Sequence, residues 1–281
     1  MRGERSVAVR EARAVRRRVR LDSLLVERGL AESRAKAAAA IVAGEVLVGG
    51  AVASKPGQLV DADADVQVRP RRPRFVSRGG EKLLAALEAF GLDVAGRVAV
   101  DVGASTGGFT DCLLQRGAAR VYAVDVGTGQ LHWRLRRDPR VVSLERRDVR
   151  SLTPADVGGP VDLATVDVSF ISLRTVLPAV ASLVRPGGDI VALIKPQFEV
   201  GPRRTRRGVV RDPALHADAI RRVLEAARAA GLAPLGLAPS PLRGPEGNLE
   251  FFVHLRRGEA PPADLDVEAV VARAHAEARP A

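Results

Sequence analysis

Cysteine is nearly absent: of 281 residues only Cys112 carries a thiol. One thiol closes no internal disulfide, which excludes a cross-linked secreted scaffold and fits a reducing compartment. With four histidines and that single cysteine the chain has too few ligands for a structural zinc site, and no metal is expected. Long apolar runs are missing too. No stretch approaches 18 consecutive apolar residues, so no membrane span is expected. The arginine-rich start, Met1 to Arg20, lacks the apolar centre of a secretory signal. Together these absences point to a cytoplasmic protein. Lysine is scarce as well, with four Lys beside 40 Arg.

What is present is the balance of a globular protein, 46% apolar and 27% charged, at a length that suits one large domain and one small one. The net charge of +11 is unevenly spread. Residues 1–80 hold 17 Lys/Arg against 9 Asp/Glu, whereas residues 81–281 hold 27 against 24. A positive N-terminal end attracts a polyanion and releases its counterions. A general preference for arginine explains which cations are used, not where they lie.

The pattern along the chain divides it. Residues 1–19 read as a basic, flexible leader. Residues 20–69 read as a compact α+β unit. Leu21, Leu24, Leu25 and Leu30 recur near helical spacing, Ala31–Ala43 forms a second helix, and Gly49-Gly50 joins two short strands. A closing strand spans Asp65–Arg69. Residues 70–79, with Pro70, Arg72, Pro73, Arg74 and Arg78, read as an extended basic linker. From residue 80 to 257, apolar strands alternate with helices. The strands are Val98–Val102, Val121–Asp125, Val141–Leu144, Val161–Asp167 and Ile190–Ile194, with Leu249–Leu255 pairing at the sheet's end. The helices fall on Glu81–Phe90, Phe109–Arg116, Gln130–Arg137, Leu173–Val184 and Ala214–Ala230. That alternation implies the α/β class, a mostly parallel sheet covered on both faces. Residues 258–281 read as a tail with a short Ala-rich helix.

Between the first strand of this sheet and its helix lies Asp101-Val-Gly-Ala-Ser-Thr-Gly-Gly-Phe109. Glycines there let the backbone turn tightly and approach a ligand at the carboxyl edge. Asp125 ends the next strand 22 residues after Gly103, placed to accept two ribose hydroxyls. A nicotinamide fingerprint wants glycine where Ser105 stands. The Asp-x-Gly-x-x-x-Gly form is that of S-adenosylmethionine methyltransferases, which makes Asp101, Gly103, Ser105, Thr106 and Gly107 candidate cofactor contacts. Asp148, after the third strand, is placed for the adenine amino group.

In a chain so poor in lysine, Lys82 and Lys195 suggest a task that guanidinium cannot perform. Lysine gives up its proton on burial far more readily than arginine and can accept the proton of an attacking alcohol. Asp167 and Lys195 stand at strand ends, and Glu250 heads the final strand, where such sheets place their chemistry. Taken singly, each also fits a solvated lysine, a strand-end charge or a cap.

The residues resemble a known family. Arg20-Leu-Asp22 to Gly29-Leu30, Ser33-Arg34, Gly44-x-Val46-x-Val48 and Lys55-Pro-Gly57 look like an S4 RNA-binding domain. Phe75-Val-Ser-Arg-Gly-Gly-x-Lys82, Asp101–Thr110, Asp167-Val-Ser-Phe170, Lys195-Pro-Gln-Phe-Glu199 and Gly247-Asn-x-Glu250 look like the TlyA family, FtsJ-like ribosomal RNA 2′-O-methyltransferases also called haemolysins. The resemblance implies a tetrad of Lys82, Asp167, Lys195 and Glu250. Lys195 is its proton acceptor, Asp167 and Lys82 orient it, and Glu250 positions the hydroxyl or the lysines. It implies S-adenosylmethionine as cofactor and cytidine in 23S RNA, in some members also 16S RNA, as substrate. Arg20, Arg34, Lys36 and Lys55 would hold RNA phosphates, with Arg72, Arg74 and Arg78 of the basic linker beside them. The sequence gives no oligomeric state. Three other readings remain open: a non-catalytic S4 ribosome-assembly factor, a pore-forming haemolysin, and a pseudouridine synthase, which needs no glycine-rich loop.

Overall fold

In this computed structural model, residues 17–69, 74–201, 205, 208–261 and 263–277 are described. The chain divides into two compact units, Met1–Pro73 and Arg74–Ala281.

In the smaller unit β1 (Arg18–Arg20) runs straight into α1 (Leu21–Glu27). α2 (Arg34–Val42) is capped by Ser33, whose hydroxyl accepts the Lys36 amide. β2 (Val46–Val48), β3 (Ala51–Val52), β4 (Leu59–Asp61) and β5 (Val66–Val68) follow. β2 lies between β3 and β5, and β1 pairs with β4, all antiparallel. Gly49 and Gly50 have φ of 56° and 83°, the conformation a two-residue hairpin turn demands. Leu21, Leu24 and Leu25 are buried with Ile41 and Val46. Leu30, grouped with them by spacing, is instead 42% exposed, because α1 stops at Glu27 and Gly29 turns the chain. The boundary expected at residue 20 falls inside β1, where Arg18 already faces Asp61.

The larger unit begins with Phe75 buried against Gly80, where any Cβ would collide with the ring. The stretch read as linker over 70–79 therefore belongs to this unit from Arg74 on; Arg72 lies outside the described residues. The elements run α3 (Gly79–Ala89), β6 (Val98–Val102), α4 (Gly108–Gln115), β7 (Arg120–Asp125), α5 (Trp133–Arg136), β8 (Val141–Glu145) and β9 (Val161–Val166). Then come α6 (Leu173–Leu183), β10 (Val184–Ile194), α7 (Pro196–Glu199), α8 (Pro213–Ala229), β11 (Leu232–Pro239), β12 (Phe251–Arg257) and α9 (Val267–Glu277).

The seven strands lie in the order β11-β12-β10-β9-β6-β7-β8, parallel from β10 to β8, with β12 antiparallel to both its neighbours. Successive residues serve opposite faces. Val100 and Val102 pack with α6 and α8, whereas Ala99, Val121 and Leu163 pack with α3 and α4. The α/β class expected from the alternation is the one observed. The sheet's end differs from expectation: β12 is interior and β11 forms the edge. Pro234, Gly236 and Pro239 disguise β11 as a loop, yet an edge strand tolerates prolines. The helix expected over Gln130–Arg137 shrinks to the four residues of α5. The tail read over 258–281 contributes α9, which buries Val267, Val271 and Ala274 in the main core.

From β6 the chain moves outward to β7 and β8, then returns to β9 on the opposite side of β6. The loops after β6 and β9 thus leave side by side in opposite senses. Open α/β sheets bind their ligands at such a point.

Candidate active site

The loop after β6 is shaped for close approach. Gly103 has φ of 84°, and a Cβ there would lie 2.5 Å from the Asp167 carbonyl oxygen at the end of β9. Asp125, at the end of β7, accepts the Ser105 amide and the Gly127 amide, each at 2.7 Å, and so folds the loop over the sheet. Ser105 itself takes φ of 48°, unusual for a residue with a side chain, and its hydroxyl donates to Gln130. Asp101 lies deeper. It is fully buried and accepts the Thr110 and Thr165 hydroxyls at 2.7 and 3.0 Å. Burial pushes its carboxyl up to about 6 against those two hydrogen bonds. Asp101 therefore braces the loop from behind and lines neither cavity described next.

Two cavities meet at this loop. The larger, about 490 Å³, lies over the ends of β6, β7 and β9 and is walled by Gly103, Asp125, Val126, Asp148, Val149 and Phe170. Its lining joins the carboxylates of Asp125 and Asp148, with Gln130 and Arg147, to apolar side chains such as Val149 and Ile171, which suits a nucleoside with ribose hydroxyls and a flat ring. Asp148 caps the turn at Val149–Ser151, and hydrogen bonds from Arg150 hold its carboxyl below the usual carboxylate range. The smaller cavity, about 260 Å³, is lined by Arg78, Lys82, Thr106, Phe109 and Lys195. Gly103, Ser105, Asp167 and Ser169 line both. Gly107 lines neither; at φ of 96° it lets the backbone pass under Leu131 and Leu135.

The four residues expected to act together are brought together as two ion pairs. The Lys82 ammonium, on α3, lies 2.5 Å from Glu250 Oε2 just before β12. Both are buried, at 8% and 2% exposure. Burial raises the Glu250 carboxyl and the Lys82 charge partly offsets it. The Lys195 ammonium, just after β10, lies 2.6 Å from Asp167 Oδ1. That contact is a charge contact without hydrogen-bond alignment; the directed hydrogen bond from Lys195 goes to Ser169 Oγ at 2.9 Å. Glu199, buried on α7, accepts the Leu173 amide and the Ser172 hydroxyl and so ties the turn behind Lys195 to the start of α6. Burial raises its carboxyl in spite of those bonds.

Ser169 and Phe170 were read as part of the motif Asp167-Val-Ser-Phe170 but given no role of their own. Phe170 is 93% exposed at φ of 64°, with its ring centroid 5.4 Å from that of Phe198. The run Asp167-Val-Ser-Phe170 was the available signal, since an aromatic beside a strand-end acid has no core to enter.

Of the cations expected to grip RNA, Arg20 and Arg34 both pair with the nearly buried Asp22, at 2.7 and 3.1 Å, leaving their outer faces exposed. Arg20 holds the Asp22 carboxyl well below its ordinary range. Lys36 pairs with Glu32, and Lys55 is exposed. In the larger unit Arg74 is exposed with its guanidinium 5.2 Å from the Phe75 ring centroid, and Arg78 is exposed on the smaller cavity. Among the described residues no group of three or more His, Cys, Asp or Glu converges as a metal site, and no helix is long and apolar enough to cross a membrane.

Residues 75–257 match the model of the FtsJ-like methyltransferase family, and residues 19–66 match that of the S4 domain. The chain belongs to the FtsJ-like methyltransferase family. This FtsJ-like chain is 53% identical over 242 residues, 85% of its length and 90% of the relative's, to the 16S/23S rRNA (cytidine-2′-O)-methyltransferase TlyA of Mycobacterium tuberculosis (strain CDC 1551 / Oshkosh). It is 48% identical over 264 residues to YqxC of Bacillus subtilis (strain 168), a candidate rRNA methyltransferase, covering 91% of this chain and 94% of that one. Among solved structures it matches a hemolysin candidate from Streptococcus thermophilus with a TM-score of 0.73 and 43% identity, over 92% and 96% of the two chains. The resemblance drawn from the motifs is borne out in both units.

Proposed function

We propose that this chain transfers a methyl group from S-adenosylmethionine to the ribose 2′-hydroxyl of a cytidine in ribosomal RNA, in the cytoplasm. The proposed target is 23S RNA, with 16S RNA as a second substrate. The observation that carries the reading is the junction of the two cavities, where Lys195 and Asp167 stand beside the glycine loop. The relatives named for this activity match over most of the chain.

S-adenosylmethionine supplies a methyl group on a sulfonium sulfur, already electrophilic, so the protein's task is alignment and the hydroxyl proton. The donor fits the larger cavity. Asp125 and Asp148 offer carboxylates to it, and Val126 and Val149 offer apolar side chains. Gly103, where a Cβ would strike the Asp167 carbonyl, lets the loop lie close against the end of β9. On the other side of the loop, Lys195 in a neutral or proton-sharing form would take up the proton of the 2′-hydroxyl as its oxygen attacks, the methyl–sulfur bond breaking as the oxygen–methyl bond forms. Asp167 and Ser169 fix the lysine nitrogen in place, and the Glu250–Lys82 pair holds a second ammonium on the same cavity. Phe170 presents a ring at the mouth on which an extruded base can stack. Alignment contributes several kcal/mol and proton transfer about 10²–10⁴-fold. Arg20, Arg34, Lys36 and Lys55 of the S4 unit hold phosphates.

The test is incorporation of tritiated methyl into each ribosomal subunit and into naked RNA from a strain lacking the gene, followed by mapping of the methylated riboses. Transfer to a cytidine 2′-oxygen is expected. No incorporation into any of these substrates refutes the reading and leaves a non-catalytic assembly factor.

A further inference from the structure

The far side of the glycine loop carries a surface for which the reaction as described has no use. α5 is fastened to that loop. The His132 amide donates to the Thr106 carbonyl at 3.1 Å, and Leu131 and Leu135 fill the space above Gly107. Both leucines are buried, whereas Trp133 between them is 61% exposed. It is the chain's only tryptophan. The Arg137 guanidinium stands 5.6 Å from the indole centroid, and the His132 ring stacks against it at 5.8 Å.

The cations of this surface fall into two groups. Arg136 and Arg140 are taken up by Glu145 and Asp138. Arg134 and Arg137 are exposed and have no carboxylate partner among the described residues. An indole this exposed adds little to the core, and two guanidiniums without a carboxylate beside it are complementary to phosphate rather than to an apolar protein patch. Aromatic faces flanked by free arginines grip unpaired nucleotides. The base stacks on the ring while the guanidinium meets the backbone. Position agrees with chemistry, because Thr106, which anchors α5, lines the cavity that holds Lys82 and Lys195.

We propose that Trp133 is a stacking platform for an unpaired base flanking the methylated nucleotide, with Arg134 and Arg137 holding the adjoining phosphates. The surface rests on the RNA methyltransferase reading and adds to it a second grip, separate from the S4 unit.

The experiment compares wild type, Trp133→Ala and Trp133→Phe in methyl transfer to purified subunits from a strain lacking the gene. It adds titration of intrinsic tryptophan fluorescence with protein-free 23S RNA, which reads Trp133 alone. Stacking of this kind corresponds to roughly a 5- to 160-fold change. Trp133→Ala raises KM for subunits by that factor, leaves kcat and S-adenosylmethionine affinity near wild type, and Trp133→Phe restores part of the loss. Protein-free RNA quenches the wild-type fluorescence, and S-adenosylmethionine alone does not. An unchanged KM in the active Trp133→Ala enzyme overturns the surface and leaves the methyltransferase reading standing. A raised KM without quenching by bound RNA assigns the patch to a ribosomal protein, which also overturns it. Absence of methyl transfer by the wild type itself sinks the underlying reading.

Discussion

Lys82→Met keeps the aliphatic stem and removes the ammonium on which Glu250 depends. Both members of the pair are buried, and removing one partner of such a pair costs about 3–5 kcal/mol. For a unit of this size each kcal/mol moves the melting temperature by about 2–4 °C, so the variant is expected to melt roughly 6–20 °C below wild type at neutral to alkaline pH. The deficit depends on pH, and its sign follows from Glu250. Burial already raises that carboxyl above its ordinary value of 4.5, and Lys82 opposes the rise. Without Lys82 the carboxyl rises further. A group with a raised folded pKa contributes stability below its unfolded value and loses it as pH climbs through the folded one. The penalty should therefore be small near about pH 5 and grow toward about pH 8. The double variant Lys82→Met/Glu250→Gln leaves no charge to bury and should regain much of the loss at the higher pH. Thermal unfolding followed by circular dichroism across that range is the assay. Equal deficits at both ends of the range, or a double variant no better than the single one at high pH, would refute the assignment of Glu250 as a carboxylate held in place by Lys82.

Lys195→Ala is expected to lower methyl transfer by at least about 10²-fold while calorimetry shows S-adenosylmethionine binding close to wild type; full activity would remove Lys195 from the reaction. Asp101 has its carboxyl pushed up to about 6, so its contribution to stability is present in acid and lost as pH rises through about 6. Asp101→Asn should flatten the stability profile between the ordinary carboxyl range and that point, and an unchanged slope in urea unfolding would contradict the burial argument. Arg34→Ala should weaken RNA binding and reduce the salt slope by about 0.7–0.9 for one lost phosphate contact. A loss independent of salt would point to misfolding around Asp22.

Much of the larger unit could be read beforehand because its parallel strands are dominated by apolar residues. Val98–Val102 and Val161–Val166 are buried on both faces, so composition alone marked them. β11 was hidden because an edge strand meets only one neighbour and can carry Pro234 and Pro239, residues that argue against a strand anywhere else. In the site, the residues at strand ends were legible by position. The division of the tetrad into two pairs was not, since Lys82 and Glu250 meet across 168 residues. Asp101 shows the opposite error. Its place in the glycine motif suggested contact with the cofactor, yet a β-strand interior turns its side chain into the core, where two threonine hydroxyls receive it. Phe170 was quoted in the family motif but given no role, because the backbone conformation that holds its ring outside the core is not marked by its residue type.

The antiparallel course of β12 has a consequence for the order of events at birth. Glu250 immediately precedes β12, the last strand among the described residues, which enters the sheet from the edge at which the parallel strands finish. At about 5–20 residues per second, Lys82 emerges some 8–30 s before its carboxylate partner exists. A nascent chain thus carries the glycine loop and both lysines before the carboxylate that pairs with Lys82. The Lys82–Glu250 pair can form only after the residues leading into β12 have been made.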